Sequence, residues 1–446
     1  MSSDLLSIAR SGAKAARIAL DVTAQNIANA STEGYVRRTA KMSEVSTTGY
    51  LGQTSDVSLS GVRVSQVVRN ADAFRQSEVR RTGSDTARAD AEVTGLSNVE
   101  TALEQSNVYD SITSFESTLQ KLKEDPTDSS LRASVVESAR TMTNTFQIAS
   151  QQLDAVGNGL HFEANAGVTE VNRLAQELAR TNVRLARASD ATSDQTSLLD
   201  QRDNLLQQMS QYGDIATTFS PDGTVKVQIG GAAGPAIVNG GSTDALTAAT
   251  AADGTITFST ASGASVALSG GSLAGQNLAL GKLSQLHGDL DALAANIVTT
   301  VNSVQTGGVD VDGNAGVAMF SGTDAASFSL ALTNGSQIAT APAGAAAKSL
   351  DTTNLDSLRN ALGNADPAGK MDSILFDVSS AVSGRTVTRD ALKTISDSAK
   401  TTLAAQSGVD LDSEAVNLVR YQQAFQASGR VMQVASNIFD TLIGIR

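Results

Sequence analysis

Residues able to do chemistry are few in this chain. Two histidines, His161 and His287, are the whole imidazole supply of 446 residues, and there is no Cys. With no His-x-x-x-His pair and no thiolate, neither histidine has the partners that a transition-metal site requires, and both read as exposed helix residues. The lack of Cys also excludes disulfides, thiolate catalysis and iron–sulfur ligation. Asp310, Asp312 and Asn314 have the spacing that opens a calcium loop. The sixth position, however, is Ala315 where a sharp turn needs Gly, and the twelfth is Ser321 where a bidentate Glu is needed. The segment reads instead as an Asp-Gly turn joining strands. The stretch 275–282 misses a phosphate loop by one residue of spacing, and Leu283 stands where Ser or Thr would hold magnesium. Gly230-Gly231-Ala232-Ala233-Gly234 follows a strand pattern, but Pro235 replaces the helix start that would array amides for a dinucleotide. No G-x-S-x-G elbow marks a nucleophile for either histidine to activate. The expectation is no catalytic residue, no metal and no cofactor, hence no enzyme.

Charge narrows the partners. There are 33 Lys and Arg against 46 Asp and Glu, a net charge of −13. Nucleic acid and anionic membranes both call for a basic footprint, so neither is expected. No run of about 18 apolar residues could span a bilayer. Arg10, Lys14 and Arg17 interrupt the apolar positions at the N-terminus, so no cleaved secretory signal is expected. Hydrophobic residues make up 41% and aromatics only 4%, with 37 Gly. Cores must therefore be built from small and medium side chains.

The elements around these residues follow from hydrophobic period. Leu6, Ala13, Leu20 and Ile27 recur every seven residues, with Ala9, Ala16, Thr23 and Ala30 three places on. That is the a/d pattern of a coiled coil written in small residues. Leu411, Leu418, Phe425, Met432 and Phe439 repeat it more strongly at the other end, flanked by Ala415, Tyr421, Ala435 and Leu442. Between the ends, apolar stripes from about 90 to 212 predict a helical bundle broken at Asp125-Pro126. From Ser220-Pro221-Asp222-Gly223 the period falls to two, with Val225, Val227 and Ile229 alternating, which predicts a hairpin. Leu283 to Val304 restores a helix, and Phe328, Leu330 and Leu332 alternate again. The fold class expected is mainly α with β insertions, the N- and C-terminal helices pairing as a coiled coil around a central helical bundle. The expected units are a terminal core of 1–40 with 405–446 and a mainly helical domain of 41–212 with 283–305 and 390–404. A β insert over 213–282 and a mixed β and loop region over 306–389 complete the chain.

The run Ala19-Leu20-Asp21-Val22-Thr23-Ala24-Gln25-Asn26-Ile27-Ala28-Asn29-Ala30-Ser31-Thr32-Glu33-Gly34-Tyr35 resembles the N-terminal signature of the bacterial flagellar axial proteins. Within that superfamily, Glu124-Asp125-Pro126-Thr127-Asp128 and Leu198-Leu199-Asp200-Gln201-Arg202-Asp203-Asn204-Leu205-Leu206 are similar to the helical domain of the hook-associated protein 1 family. So are the segments 222–231 and 301–320, and Asn417-Leu418-Val419-Arg420-Tyr421-Gln422-Gln423-Ala424-Phe425 resembles that family's last helix. The resemblance implies a structural protein of the extracellular flagellum at the junction of hook and filament, exported by the flagellar type III apparatus without a cleaved signal. It implies as partners further copies of the chain, the hook protein, hook-associated protein 3 and an export chaperone on the C-terminal helix. It also implies terminal helices in the inner core of the tube, the bundle in a middle shell and the β insert outside. Other axial subunits, namely hook-associated protein 3 or a flagellin-like protein, and a surface adhesin on a helical stalk are the alternatives. The assembly interface expected is Leu6, Ala13, Leu20, Ile27, Leu411, Leu418, Phe425, Met432, Phe439 and Leu442. An Ala-rich helix with one weak seam gains little alone, so both ends are expected to order only as copies stack.

Overall fold

The small side chains of the first segment let it pack closely. In the computed structural model, which describes residues 2–32, 34–47, 58–188 and 193–444, Ser2–Ala28 forms helix α1 and buries Ala9, Ala13, Ala16 and Ala19. Along it runs α9, Leu411–Gly444. The pair is antiparallel: Asn26 meets Glu414 at one end, and further along Gly12 faces Ser428 so closely that a Cβ there would come within 3.0 Å of its Oγ. A second surface of α1 is covered by a hairpin of β1, Arg38–Thr47, and β2, Ser58–Arg69. At Gly61 (φ +102) the hairpin backbone lies against Ser11, whose hydroxyl accepts from Val62 N–H at 3.1 Å. The expected pairing of the two terminal helices is present within the single chain. Close Ala packing and the hairpin supply contacts that period alone did not reveal.

The body is helical. α2 (Ala73–Gln105) and α3 (Val108–Leu122) lead into α4 (Ser129–Leu185), a single helix of 57 residues, and α5 (Ser193–Tyr212) folds back on it. Asp128 begins α4 by accepting from the Ser130 and Leu131 amides, a charge-assisted cap. The middle strands form two antiparallel sheets. β3 (Ile215–Phe219), β4 (Val225–Ile229), β5 (Ala236–Asn239) and β6 (Ser242–Thr243) make one. β7 (Leu246–Thr250), β8 (Ile256–Thr260) and β9 (Ser265–Val266) make the other. The alternation read at Val225, Val227 and Ile229 is the buried face of β4.

Two stretches depart from the sequence reading. The last strand of the β insert ends at Val266, and α6 (Gly271–Gln305) starts well ahead of the boundary placed after 282. Its first turns are rich in Gly and Ala because they press on α2: a Cβ at Gly275 would lie 2.1 Å from the Arg88 carbonyl oxygen. The mixed region of 306–389 holds only short strands, β10 to β13 (Gly308–Val309, Phe320–Ser321, Ser329–Leu330 and Ala341–Pro342), and then becomes helical as α7 (Thr353–Ala365) and α8 (Pro367–Ser407). Pro367 opens α8, and Asp366 caps it by accepting from Gly369 N–H. Beyond Val378 this helix buries only Ser396, Ala399 and Ser407, so no apolar stripe announces it.

Two cores share α4. Its N-terminal half meets α3, α6, α7 and the start of α8, with Phe115, Phe146, Phe320 and Phe328 packed edge to face or tilted at 5.0–5.7 Å between centroids. Its C-terminal half meets α5, the first turns of α6 and the two middle sheets.

Candidate assembly face and its anchoring joint

Of the ten residues expected to form the assembly seam, the single chain engages some and leaves others open. Ala13 is buried, and Leu20, Ile27, Leu418 and Met432 are half-buried in the α1–α9 pair. Leu6 and Leu411 are exposed, as are Phe425 at 43% and Phe439 at 53%. The side chain of Leu442 lies outside the described residues. The buried line of α9 passes instead through Glu414 and Ala435. Val416, Val419, Val431, Val434 and Ile438 also stand exposed on α9, as do Leu5 and Ile8 on α1. Isolated apolar residues on a surface are ordinary, but a helix pair carrying this many large ones is the candidate interaction face.

What orients that face is a polar joint at the Asn26–Glu414 end. Asn26 uses its full hydrogen-bonding capacity. Its Nδ2 donates to the Arg38 carbonyl oxygen at 2.8 Å and to Glu414 Oε2 at 3.1 Å, and its Oδ1 accepts from Tyr35 Oη at 2.9 Å and Arg38 N–H at 3.0 Å. Glu414, 1% exposed, also receives Arg37 through Nη2 at 2.7 Å and Nε at 2.8 Å. From the hairpin, Arg38 and Arg69 reach α5, pairing with Asp200 at 2.9 and 2.8 Å, and Arg69 also reaches Asp203 at 2.8 Å. Arg202 pairs with Asp203 at 2.6 Å, donates to the Gly223 carbonyl at 2.7 Å and lies 4.6 Å over the Phe219 ring. The chain of contacts thus links the terminal pair, hairpin, helical body and first middle sheet. Two carbonyls at the end of α8 tie it in: that of Ser407 accepts from Arg37 N–H at 3.0 Å, and that of Gln406 from the Asn70 side-chain Nδ2 at 2.6 Å.

Burial and charge oppose each other here. Burial pushes the Asp200 carboxyl up against the pull of Arg69 and Arg38. Burial acts the same way on Asp203, but Arg202 and Arg69 outweigh it and hold that carboxyl below the usual range. Burial raises the Tyr35 hydroxyl. Sequence reasoning did not single out this joint as a site, although Asn26, Tyr35, Asp200 and Asp203 all lie in the two runs that carry the family resemblance. The adjacent Arg37 and Arg38, just after the N-terminal run, were the available signal.

The other candidates take structural places. Asp310 accepts from the backbone of Asp312 at 2.9 Å and of Asn314 at 2.8 Å, so its carboxylate closes the turn. His161 and His287 are half-buried, contrary to the exposed positions expected. His287 sits between Ser150 and Asp291, each at 3.2 Å. Among the described residues no group of three His, Asp or Glu could hold a metal ion, and no helix is long and apolar enough to cross a membrane.

The chain resembles known proteins along its length. The model described as flagellar hook-associated protein FlgK helical domain matches residues 96–320. Those for the flagella basal body rod protein and the flagellar basal body rod FlgEFG protein C-terminal match 6–35 and 404–445, the segments that form α1 and α9. Flagellar hook-associated protein 1 of Bacillus subtilis is 25% identical, covering 98% of this chain and 97% of that protein. The protein of the same name from Escherichia coli is 25% identical over the full length of both. A solved structure titled as the flagellar hook junction protein FlgK from Burkholderia pseudomallei is 23% identical with a TM-score of 0.49, covering 55% of this chain and 46% of that one.

Proposed function

The chain belongs to the flagellar hook-associated protein FlgK family, and from that premise we propose that its paired terminal helices are the surface through which this structural, non-enzymatic subunit of the hook–filament junction assembles with its own copies. One observation carries the reading: Leu411, Phe425, Phe439 and further large apolar residues of α9 stand uncovered although α9 is already paired with α1. Each large side chain buried by a neighbouring copy contributes roughly 1.5–3 kcal/mol before ordering costs. Head-to-tail repetition of such a contact generates a ring or helical lattice rather than a closed dimer. As an axial component the subunit associates with other hook and filament proteins. We assign the hook protein and hook-associated protein 3 as its two neighbours along the axis. An export chaperone is assigned to the exposed face of α9, which would otherwise polymerise early. Export through the flagellar type III apparatus without a cleaved signal fits the charged N-terminal segment. The terminal core of 1–40 with 405–446 faces the channel in this reading, and the middle sheets face outward. Family membership sets aside the stalked-adhesin alternative.

The test is complementation of a motile strain lacking the gene with a Phe425→Ala/Phe439→Ala double variant. The expected result is a folded, secreted protein, hooks without filaments and flagellin lost to the medium. Full-length filaments at normal number would overturn the assignment of this face.

A further inference from the structure

An Asn followed by Gly carries a reactivity of its own. The Gly nitrogen, unhindered by a Cβ, can attack the side-chain amide carbon of the preceding Asn and close a five-membered ring. The chain has three such pairs, Asn158-Gly159, Asn239-Gly240 and Asn334-Gly335, and the fold treats them differently. Asn158 and Gly159 are exposed but lie midway along α4, where the Gly159 amide is held in the helical ladder. Asn334 caps the short 3-10 turn Gly335–Gln337. Its Oδ1 accepts from Ser336 N–H at 3.0 Å and Ser336 Oγ at 2.6 Å, and the Gly335 carbonyl accepts from Arg132 at 3.1 Å. Ring closure at either place must first break these bonds.

Asn239 is the last residue of β5 and pairs with Ser242 across a two-residue turn. Gly240, at φ +60, is the first central residue and Gly241 the second, the II′ arrangement that calls for Gly first. All four residues are exposed, and a Cβ at Gly240 would meet nothing within 4 Å. Among the described residues the Asn239 side chain has no hydrogen-bond partner and the Gly240 N–H has no acceptor. β6 is two residues long and ends its sheet, so this turn opens locally at little cost. The Asp-Gly turns of the middle sheets could form the same ring. The carboxylates of Asp222 and Asp253 are instead engaged by the amide and hydroxyl of Thr224 and Thr255 and held ionised, which makes them poor targets for a nucleophile.

We propose that Asn239 is a site of spontaneous covalent modification, at which the folded chain deamidates through a succinimide to isoaspartate and aspartate. The Gly240 nitrogen gives its proton to hydroxide and bonds to Asn239 Cγ, the Cγ–Nδ2 bond breaks, and the side-chain nitrogen leaves as ammonia. Water then opens the ring. Attack at Cγ releases the Gly240 nitrogen to the main-chain carbonyl and leaves aspartate. Attack at the main-chain carbonyl leaves isoaspartate, with the chain running through the former side chain. Water is the only co-reactant, and each conversion adds one negative charge. Isoaspartate also lengthens a turn that is fitted to α4: the Gly240 carbonyl accepts from Asn182 Nδ2 at 3.0 Å, and a Cβ at Gly241 would lie 2.7 Å from Val183 Cγ2.

The experiment is incubation of the full chain in oxygen-18-labelled water at mildly alkaline pH, followed by peptide mass spectrometry with fragmentation that separates isoaspartate from aspartate. Label is expected at 239, with isoaspartate in excess, at least about tenfold faster than at 158 or 334, the factor that lost hydrogen bonds impose on a rate. In denaturant the three rates are expected to converge, and Asn239→Gln, whose ring would be larger, is expected to take up no label at that position. Label at 239 entering no faster than at Asn158 or Asn334, aspartate without isoaspartate, or the same ranking in denaturant would overturn the site.

Discussion

Glu414→Gln removes one charge from the joint while keeping the shape of the side chain. Glu414 accepts from Arg37 at 2.7 and 2.8 Å and from Asn26 at 3.1 Å, and it is 1% exposed. Hydrogen bonds to a charged group contribute about 1.5–3 kcal/mol each, and breaking a buried pair costs about 3–5 kcal/mol. Arg37 is 28% exposed, so water takes over part of what Glu414 supplied. A net loss of about 2–3 kcal/mol remains, and at 1.36 kcal/mol per decade that raises the opening constant of the terminal pair about 30- to 150-fold. Hydrogen exchange on the unassembled chain reads this directly, because local opening is distinct from global unfolding. Amides of α1 and α9 nearest Asn26 and Glu414 are expected to accelerate by that factor, while those of α4 stay unchanged. In the wild type, exchange along α9 is expected to quicken with distance from Glu414 and its polar joint. Arg37→Met completes a double-mutant cycle with an expected coupling of at least about 1 kcal/mol. Acceleration below about threefold, or additive effects of the two substitutions, would refute the joint as the anchor of the assembly face.

Arg132, buried at the start of α4, donates to the carbonyls of Pro126 at 2.6 Å, Gly335 at 3.1 Å and Ile338 at 2.9 Å and to Thr340 Oγ1 at 2.9 Å. Arg132→Met is expected to cost about 3 kcal/mol and to lower the thermal midpoint, chiefly by freeing the 335–340 turn, with limited proteolysis there as the check. Asp203 sets an acid limit. Its folded pKa lies below the unfolded value of about 4, so the stability it contributes is present above that value and is lost as pH falls through the folded one. Acid titration followed by circular dichroism is expected to show Asp203→Asn less stable at pH 7 and losing less on going from pH 4 to pH 2 than the wild type.

The amphipathic elements were legible in the sequence. Seven-residue repeats at the two ends correspond to α1 and α9, the stripes from 90 to 212 to α2 through α5, and the alternation after Gly223 to β4. α7 also carried a signal, since Leu355, Leu358 and Leu362 recur at helical spacing. α8 was illegible for a physical reason: past Val378 it offers little apolar surface to a core and is held to α2 partly through ions, such as Arg385 with Glu92 at 2.9 Å. The heptad at the C-terminal end marked a helix, α9, but not which of its residues close within one chain. Phe425 and Met432 are equivalent by spacing, and only the crossing with α1 decides that Met432 is the better covered. The joint was hidden because its members, Asn26, Arg69, Asp200 and Glu414, come from four separate segments. Polar residues that meet only in three dimensions leave no period to detect.

The length of α4 has a mechanical consequence. At 1.5 Å per residue its 57 residues reach about 85 Å. The aromatic core grips one half and the strand-bearing core the other. A twisting load entering at either end passes along one continuous hydrogen-bonded rod without crossing a loop, so the two cores must turn together. Within the subunit α4 is therefore a stiff spacer that fixes one core against the other.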